Sequence, residues 1–301
     1  MKRLPVQLIF LVASGCGAGY DVAGDVTSVD EAVTRTSPTR TWHQRTGLLI
    51  DIAAGSGDSS LWGIDTNFSN GDARVVKWAG SGWAATSQRG IHIAVQALWN
   101  GTLVPWVVKA DHTVWRGNAT GSSWTQMEAP AGGAYDISSS AVPGNFTPAM
   151  DQMVSVTGWD GNAYQFMNNV WSLPIVPPEP VTRVAMPNCQ SFVSPSLYLG
   201  GGTIYQYKRV MNQDYWTPLG PPDLNRQDVS MARFTVNDFT GSMMTVRAGT
   251  SNQVNTYETS TNSWISTGST TFSSSPRAVS SDCSGNRVWI VLFDGRVYYS
   301  D

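Results

Sequence analysis

The residues best suited to chemistry in this chain are tryptophans beside turns. Trp159-Asp160-Gly161-Asn162 sets an indole next to a carboxylate, an amide and a glycine turn. Trp99 stands directly before Asn100-Gly101, and Trp78 and Trp115 end short β-prone runs. Sugars present apolar C–H faces and ordered hydroxyls, so an aromatic platform with Asn, Asp or backbone groups nearby is what holds them. Trp159 and Trp99, at turns where exposure is expected, lead the ligand-binding candidates. Asp160 and Asn162 would supply polar contacts, with Trp78 and Trp115 as further candidates. Asn, Asp and Gly are also favoured in turns for conformational reasons alone, so these residues equally fit a purely structural role.

Reaction chemistry finds less support. His43, His92 and His112 are spaced as no metal cluster would be. Neither a G-x-S-x-G elbow nor a P-loop occurs. Cys189 and Cys283 lack a histidine neighbourhood that would make a nucleophile, though in an oxidising compartment they could pair. No catalytic residue, metal or cofactor is assigned. Carboxylates meeting across a ring axis would be the one route to a glycoside hydrolase, and Asp and Glu total 22.

The N-terminus is a processing signal rather than part of the fold. Lys2 and Arg3 precede the apolar stretch Leu4 to Ala13, too short to span a bilayer. It ends on Ala13-Ser14-Gly15-Cys16, which resembles the lipobox of bacterial lipoproteins, with Ala13 where leucine is commoner. That resemblance implies lipidation of Cys16, and Gly17 after it resembles the outer-membrane sorting pattern; an ordinary secretory signal is the alternative. Residues 17–38, rich in Ser, Thr, Val and Asp, read as a tether. Removing residues 1–16 leaves 17 basic against 22 acidic side chains. That balance argues against a nucleic-acid partner, which calls for a basic face. Membrane contact is expected only through the lipid.

The elements that position these residues follow from a repeat. Trp42, Trp83, Trp124, Trp171, Trp216 and Trp264 are separated by 41, 41, 47, 45 and 48 residues. A period in the forties with several short strands per unit marks a propeller blade. The first unit places strands over Gly47–Ala54, Leu61–Asp65 and Arg74–Trp78, with Trp83 opening the fourth. The second runs from Ile91 through Pro105–Lys109 and Thr113–Trp115 to Trp124. In the third, fourth and fifth units the clearest strands are Met153–Thr157, Ala163–Met167, Leu197–Gly200, Ile204–Tyr207, Met244–Arg247 and Val254–Tyr257. The chain closes on Arg287 to Tyr299, RVWIVLFDGRVYY, whose Asp-Gly between alternating runs signals a hairpin. This last hairpin lacks a following tryptophan, and Trp42 lacks a preceding one. The expected fold is therefore all-β, a six-bladed β-propeller over residues 39–301, its last blade closed by the N-terminal strand.

The pattern Trp42-x4-Gly47-x-Leu49-x-x-Ile52, then Leu61-Trp62-Gly63-Ile64-Asp65, resembles the tectonin-type β-propeller repeat. Val288-Trp289-Ile290-Val291 and Asp294-Gly295-Arg296-Val297-Tyr298 resemble it again. The resemblance implies a six-bladed ring and lectin-like recognition of glycans or lipopolysaccharide; unit five departs from it in lacking the Asp-Gly turn and the second-strand tryptophan. Trp62, Trp106 and Trp289 are expected in the core. One rim should collect Asn67, Asn70, Asp111, His112, Trp159, Asp160, Asn162 and Asn252. The expected function is an exported, lipid-anchored recognition module, an outer membrane lipoprotein. A protein-binding envelope scaffold and a hydrolase are the alternatives.

Overall fold

Short β-branched and aromatic runs bounded by Gly, Asn and Asp leave the chain little choice but strands. In the computed structural model the first repeat forms β1 (Trp42–Ala54), β2 (Leu61–Ser69), β3 (Asp72–Trp78) and β4 (Trp83–Gly90). The second gives β5 (His92–Ala97), β6 (Leu103–Val108), β7 (Val114–Gly117) and β8 (Trp124–Met127). Then come β9 (Asp136–Ser139), β10 (Val154–Thr157), β11 (Ala163–Met167) and β12 (Val170–Trp171). The fourth repeat holds β13 (Val181–Ala185), β14 (Ser196–Gly200), β15 (Thr203–Val210) and β16 (Gln213–Pro218). The fifth holds β17 (Arg226–Met231), β18 (Met243–Arg247), β19 (Gln253–Glu258) and β20 (Ser263–Ser266). Last are β21 (Pro276–Ser281), β22 (Val288–Leu292) and β23 (Arg296–Ser300).

The structure describes residues 40–55, 58–98, 100–140, 153–167, 169–187, 196–210, 213–231, 243–247, 253–258, 261–266, 272–282 and 287–300. Cys16, Trp99, Cys189, Asn252 and Cys283 lie outside them, as does the signal and tether segment. Residues Ser37–Asp301 form one compact unit. Among the described residues there is no α-helix, and only the single 3-10 turn Asp58–Ser60 interrupts the strands.

Antiparallel four-stranded sheets, each a simple up-and-down meander, give an all-β architecture consistent with a β-propeller. One sheet has seven strands in the order β21-β22-β23-β1-β2-β3-β4, because β1 serves two partners. Its first half pairs with β23, Trp42 opposite Ser300 and Arg45 opposite Val297. After a register break its second half pairs with β2, from Leu49 opposite Asp65 to Ala54 opposite Leu61. Gly47 sits in that break at φ 103°, and a Cβ there would run into the Trp83 indole.

The first strand of each repeat touches the first strand of the next: β1 with β5, β5 with β9, β9 with β13, β13 with β17 and β17 with β21. β21 in turn touches β1. Between successive sheets lie apolar clusters, each wedged by a repeat tryptophan. Trp124 packs where β1–β3 meet β5 and β6, and Trp83 where β21–β23 meet β1–β3. Trp171, Trp216, Trp264 and Trp42 do the same at the remaining junctions. Several of these indoles donate N–H to a backbone carbonyl: Trp83 to Thr46 within β1 at 2.8 Å, and Trp171 to Glu128 at 2.6 Å and Trp264 to Leu219 at 2.9 Å, both just upstream of their own sheets. A partly buried Trp thus fills an apolar gap while satisfying its one polar atom.

Trp62, Trp106 and Trp289 on second strands are fully buried, as their apolar surroundings in sequence lead one to expect. The third sheet departs from this pattern. Where the first and second repeats carry Trp62 and Trp106, β10 carries Ser155, and the volume is filled from the fourth sheet by Tyr198. Its hydroxyl lies 2.6 Å from Ser155 Oγ in a fully buried contact. Burial pushes the Tyr198 phenol up to about 12, so it stays a neutral hydrogen-bonding group.

Candidate functional site

Trp159 is the most exposed tryptophan among the described residues, with 64% of its surface open. It sits in the turn between β10 and β11, which runs through Gly161 at φ 80°. The Trp159 N–H is held by the Gly132 carbonyl at 3.1 Å, and a Cβ on Gly132 would collide with the Asp160 carboxylate. The loop before β9 therefore has to be glycine where it passes beneath the turn.

The indole does not stand alone. The His112 ring lies 4.7 Å from it and the Tyr135 ring 5.4 Å, both tilted, so three rings from two repeats make one aromatic surface. His112 reaches this place from a left-handed backbone, φ 67°, in the turn between β6 and β7. Beside the rings a cleft of about 270 Å³ is lined by Tyr135, Trp159, Asp160, Pro180 and Thr182. Its size and mixed lining suit a sugar ring lying against an aromatic face.

Asp160 and Asn162 build the turn itself, one of the two roles their residue types allow. The Asp160 carboxylate accepts the Asn162 N–H at 3.0 Å, its side-chain amide at 2.8 Å and the Tyr164 hydroxyl at 2.6 Å. Burial pushes its pKa up, but the bonds from Tyr164 and Asn162 outweigh that and hold it below the usual carboxylate range. The pair shapes the turn that presents Trp159, and Asp160 still borders the cleft.

The other sequence candidates are scattered. Trp78 packs edge-on to Trp83 at 5.3 Å beneath the Arg45 guanidinium at 4.3 Å. Trp115 is half-buried, its indole N–H on Thr113 Oγ1 at 3.0 Å. Asp111 caps the same turn by accepting from Thr113. Neither Trp78 nor Trp115 joins the Trp159 cleft.

A second cluster, which sequence reasoning missed, lies where the first strands begin. One residue before an Ile or Val of each first strand come Asp51, His92, Asp136, Arg183 and Asp228, and then Ala278. His92 Nδ1 lies 3.2 Å from Asp51 and 3.3 Å from Asp136, while Arg183 Nε lies 4.0 Å from Asp228. Each aspartate also accepts a backbone N–H from the following first strand: Asp51 from Ile93 at 2.9 Å, Asp136 from Val184 at 2.9 Å, Asp228 from Val279 at 2.8 Å. They stitch one sheet to the next. Ser138 and Ser280 repeat the device one step along, accepting from Met186 and Ala54 at 3.0 Å each.

Burial dominates the electrostatics here. It raises the pKa of Asp136, against the pull of His92 and Arg183. It raises Asp228 well above the usual range, helped by the charge of Asp136 and opposed by Arg183. Arg183 goes up as well: burial would lower it, but Asp136 and Asp228 prevail. The cavity bordered by Asp51, Asp228 and the first strands is only about 50 Å³, room for water rather than a sugar. Among the described residues no group of three His, Cys, Asp or Glu is arranged to hold a metal ion. The two regions meet at Tyr135, whose ring lies 6.0 Å from His92 and 5.6 Å below the Arg183 guanidinium.

No family model matches the chain, and no curated protein matches it. A solved structure of U3-55K is similar at a TM-score of 0.59 with 9% identity, covering 86% of this chain and 98% of that one. At that identity the likeness is one of fold.

Proposed function

We propose that the chain is a six-bladed propeller of tectonin type, closed by its own N-terminal strand, that recognises glycans or lipopolysaccharide rather than transforming a substrate. The ring reading is supported by β1 pairing with both β23 and β2, and by first-strand contacts running from β1 round to β21 and back. Rings of this kind have no free edge at the seam, which is the physical advantage of sharing β1. The observation that carries the function is the Trp159 surface: an indole left 64% open, stacked on two other rings and bordering a cleft of about 270 Å³. Three rings gathered beside a cleft, rather than one exposed indole, are what favour a ligand there.

Export and anchoring at Cys16 follow from the signal-like start of the chain, and an outer membrane location from Gly17 after it. The test is a glycan array probed with the full chain and with Trp159→Ala. Binding that disappears in the variant is expected; an empty array, or identical profiles, would remove the reading. Replacing Cys16 with Ser in a bacterial host is expected to release the protein from membranes, and unchanged membrane association would remove the anchor.

A further inference from the structure

The turn that presents Trp159 occurs again in the last sheet. Thr157 pairs with Ala163 across five residues, 158–162, and Val291 pairs with Val297 across five, 292–296. That register sets Phe293-Asp294-Gly295-Arg296 on Trp159-Asp160-Gly161-Asn162. The hydrogen bonds agree position by position. Asp294 accepts the Arg296 backbone N–H at 3.1 Å and its Nε at 2.9 Å, as Asp160 accepts the backbone and side-chain N–H of Asn162. Phe293 N–H donates to the Ser275 carbonyl at 2.9 Å, as Trp159 N–H does to that of Gly132. Gly295 and Gly161 both take left-handed backbone, φ 87° and 80°. Their carbonyls accept from the next repeat, Gly295 from Leu49 at 2.8 Å and Gly161 from Val181 at 3.0 Å.

Phe293 therefore stands where Trp159 stands, and it is 51% exposed. Its neighbours are equivalent in place but not in kind. Leu48, half-exposed itself, lies against Gly295 where Pro180, which lines the Trp159 cleft, lies against Gly161. Tyr135 directly precedes Asp136, opposite Thr157, and Arg277 directly precedes Ala278, opposite Val291. Arg277 thus replaces Tyr135, and its guanidinium lies 5.9 Å from the Phe293 ring centre.

Turn chemistry does not require either ring. In the second sheet Val108 pairs with Val114 across the same five-residue span, Asp111 accepts from Thr113 and His112 takes the left-handed place. There the position of Trp159 and Phe293 is Ala110. The same turn folds with a methyl group, so the rings are surplus to its folding. Both ring-bearing turns join a second strand to a third and so open at the same end of their sheets. From β9 to β21 the first-strand contacts run three steps in either direction, through β13 and β17 or through β5 and β1.

We propose that Phe293 and Leu48 form a second sugar-binding face, and that it acts with the Trp159 face, across the rim, on surfaces displaying many copies of one glycan. The proposal rests on the glycan reading of the Trp159 surface. An exposed ring beside an apolar side chain is what the C–H face of a sugar packs against. Each face alone is small and binds weakly, and joint engagement of a dense surface multiplies the two.

Fluorine resonances read the two faces separately. The full chain in detergent micelles carries 5-fluorotryptophan or 4-fluorophenylalanine, and the Trp159 and Phe293 signals are assigned by their loss in Trp159→Ala and Phe293→Ala. It is titrated with the methyl glycosides of glucose, galactose, mannose and N-acetylglucosamine. At least one glycoside is expected to move both signals saturably, with a Kd on the order of 1 mM. Trp159→Ala should leave the Phe293 shift in place, and Phe293→Ala that of Trp159. On beads densely coated with the same glycoside, each single variant should bind about a hundredfold more weakly than the parent. A glycoside that moves Trp159 but not Phe293 would overturn the second face and keep the first. No shift of either signal would overturn both, and movement of Phe293 alone would overturn the equivalence. A Phe293 shift that vanishes in Trp159→Ala would reduce the two faces to one. Single variants that bind the beads within about twofold of the parent would overturn joint engagement.

Discussion

Asp136 and Trp159 belong to the same sheet and are joined through Tyr135, yet they do opposite things with their chemistry. Asp136 begins β9 with its carboxylate spent on Val184 N–H, His92 and the charge of Arg183. Trp159 follows β10 with its ring largely open to solvent and tilted against the rings of His112 and Tyr135. A titratable cluster with perturbed protonation usually draws attention as a reaction centre. Here every carboxylate of that cluster is bonded into the neighbouring strand, and the cavity it borders holds little more than water. Groups that look reactive hold the sheets together, while a side chain that does not titrate is the one left facing solvent.

The sharpest way to break this contrast is to remove each member. Asp136→Ala strands the buried Val184 N–H and takes a partner from both His92 and Arg183. The loss should be large, about 3–5 kcal/mol, in line with breaking a buried, hydrogen-bonded charge pair. Chemical denaturation of the variant measures it. A loss below about 1 kcal/mol would mean that the aspartate cluster is not what joins the sheets.

A smaller effect should appear as a pH dependence. Asp136 and Asp228 bind protons more tightly folded than in an unfolded chain, where Asp titrates near ~3.9. Their contribution to stability is therefore complete below that value and is lost as pH rises through their raised folded values. Asp111, Asp160 and Asp294 are shifted the other way, so theirs is present above the unfolded value and lost on further acidification. The two sets together place maximal stability in mild acid, with a decline as pH rises through the raised values of Asp136 and Asp228. Asp228→Asn keeps an oxygen for the Val279 N–H but cannot ionise, so its decline should be shallower than that of the parent. Parallel Tm–pH curves would show that the cluster does not govern the slope.

What the sequence disclosed and what it concealed divide along the same line. The terminal hairpin is legible because Asp294-Gly295 and its flanking alternation are local signals, and the structure pairs Val288–Val291 with Val297–Ser300 across that turn. The tryptophan spacing is legible because every copy solves the same packing problem against the sheet before it. Strands β9, β13 and β17 are concealed: Asp136, Ser138, Arg183, Asp228 and Ser230 break the apolar run that would announce a buried strand. Asp136 and Ser230 are buried all the same and Ser138, Arg183 and Asp228 half-buried, because their partners arrive from other repeats. The exchange of a second-strand tryptophan for Ser155 is equally silent, since Tyr198, which compensates, belongs to the next repeat. In the turn before β11, residue type points to Trp159 and Asp160 together, but the short-range bonds that tie Asp160 to Asn162 and Tyr164 are not written in the sequence.

The smallest expected effect tests the other half of the contrast. Trp159→Ala removes two ring contacts from a side chain already mostly in water, so little apolar surface is lost on the folded side. Aromatic contacts of this kind are worth about 1 kcal/mol, and an exposed partner recovers part of that by hydration. The variant should therefore unfold within about 1 kcal/mol of the parent while losing glycan binding. Tyr135 makes the result decisive. If Trp159 buttressed the axis through Tyr135, its removal would unsettle His92 and Arg183 and cost as much as Asp136→Ala. Comparable losses in the two variants would merge rim and axis into one structural element, and the exposed indole would no longer need a ligand to explain it.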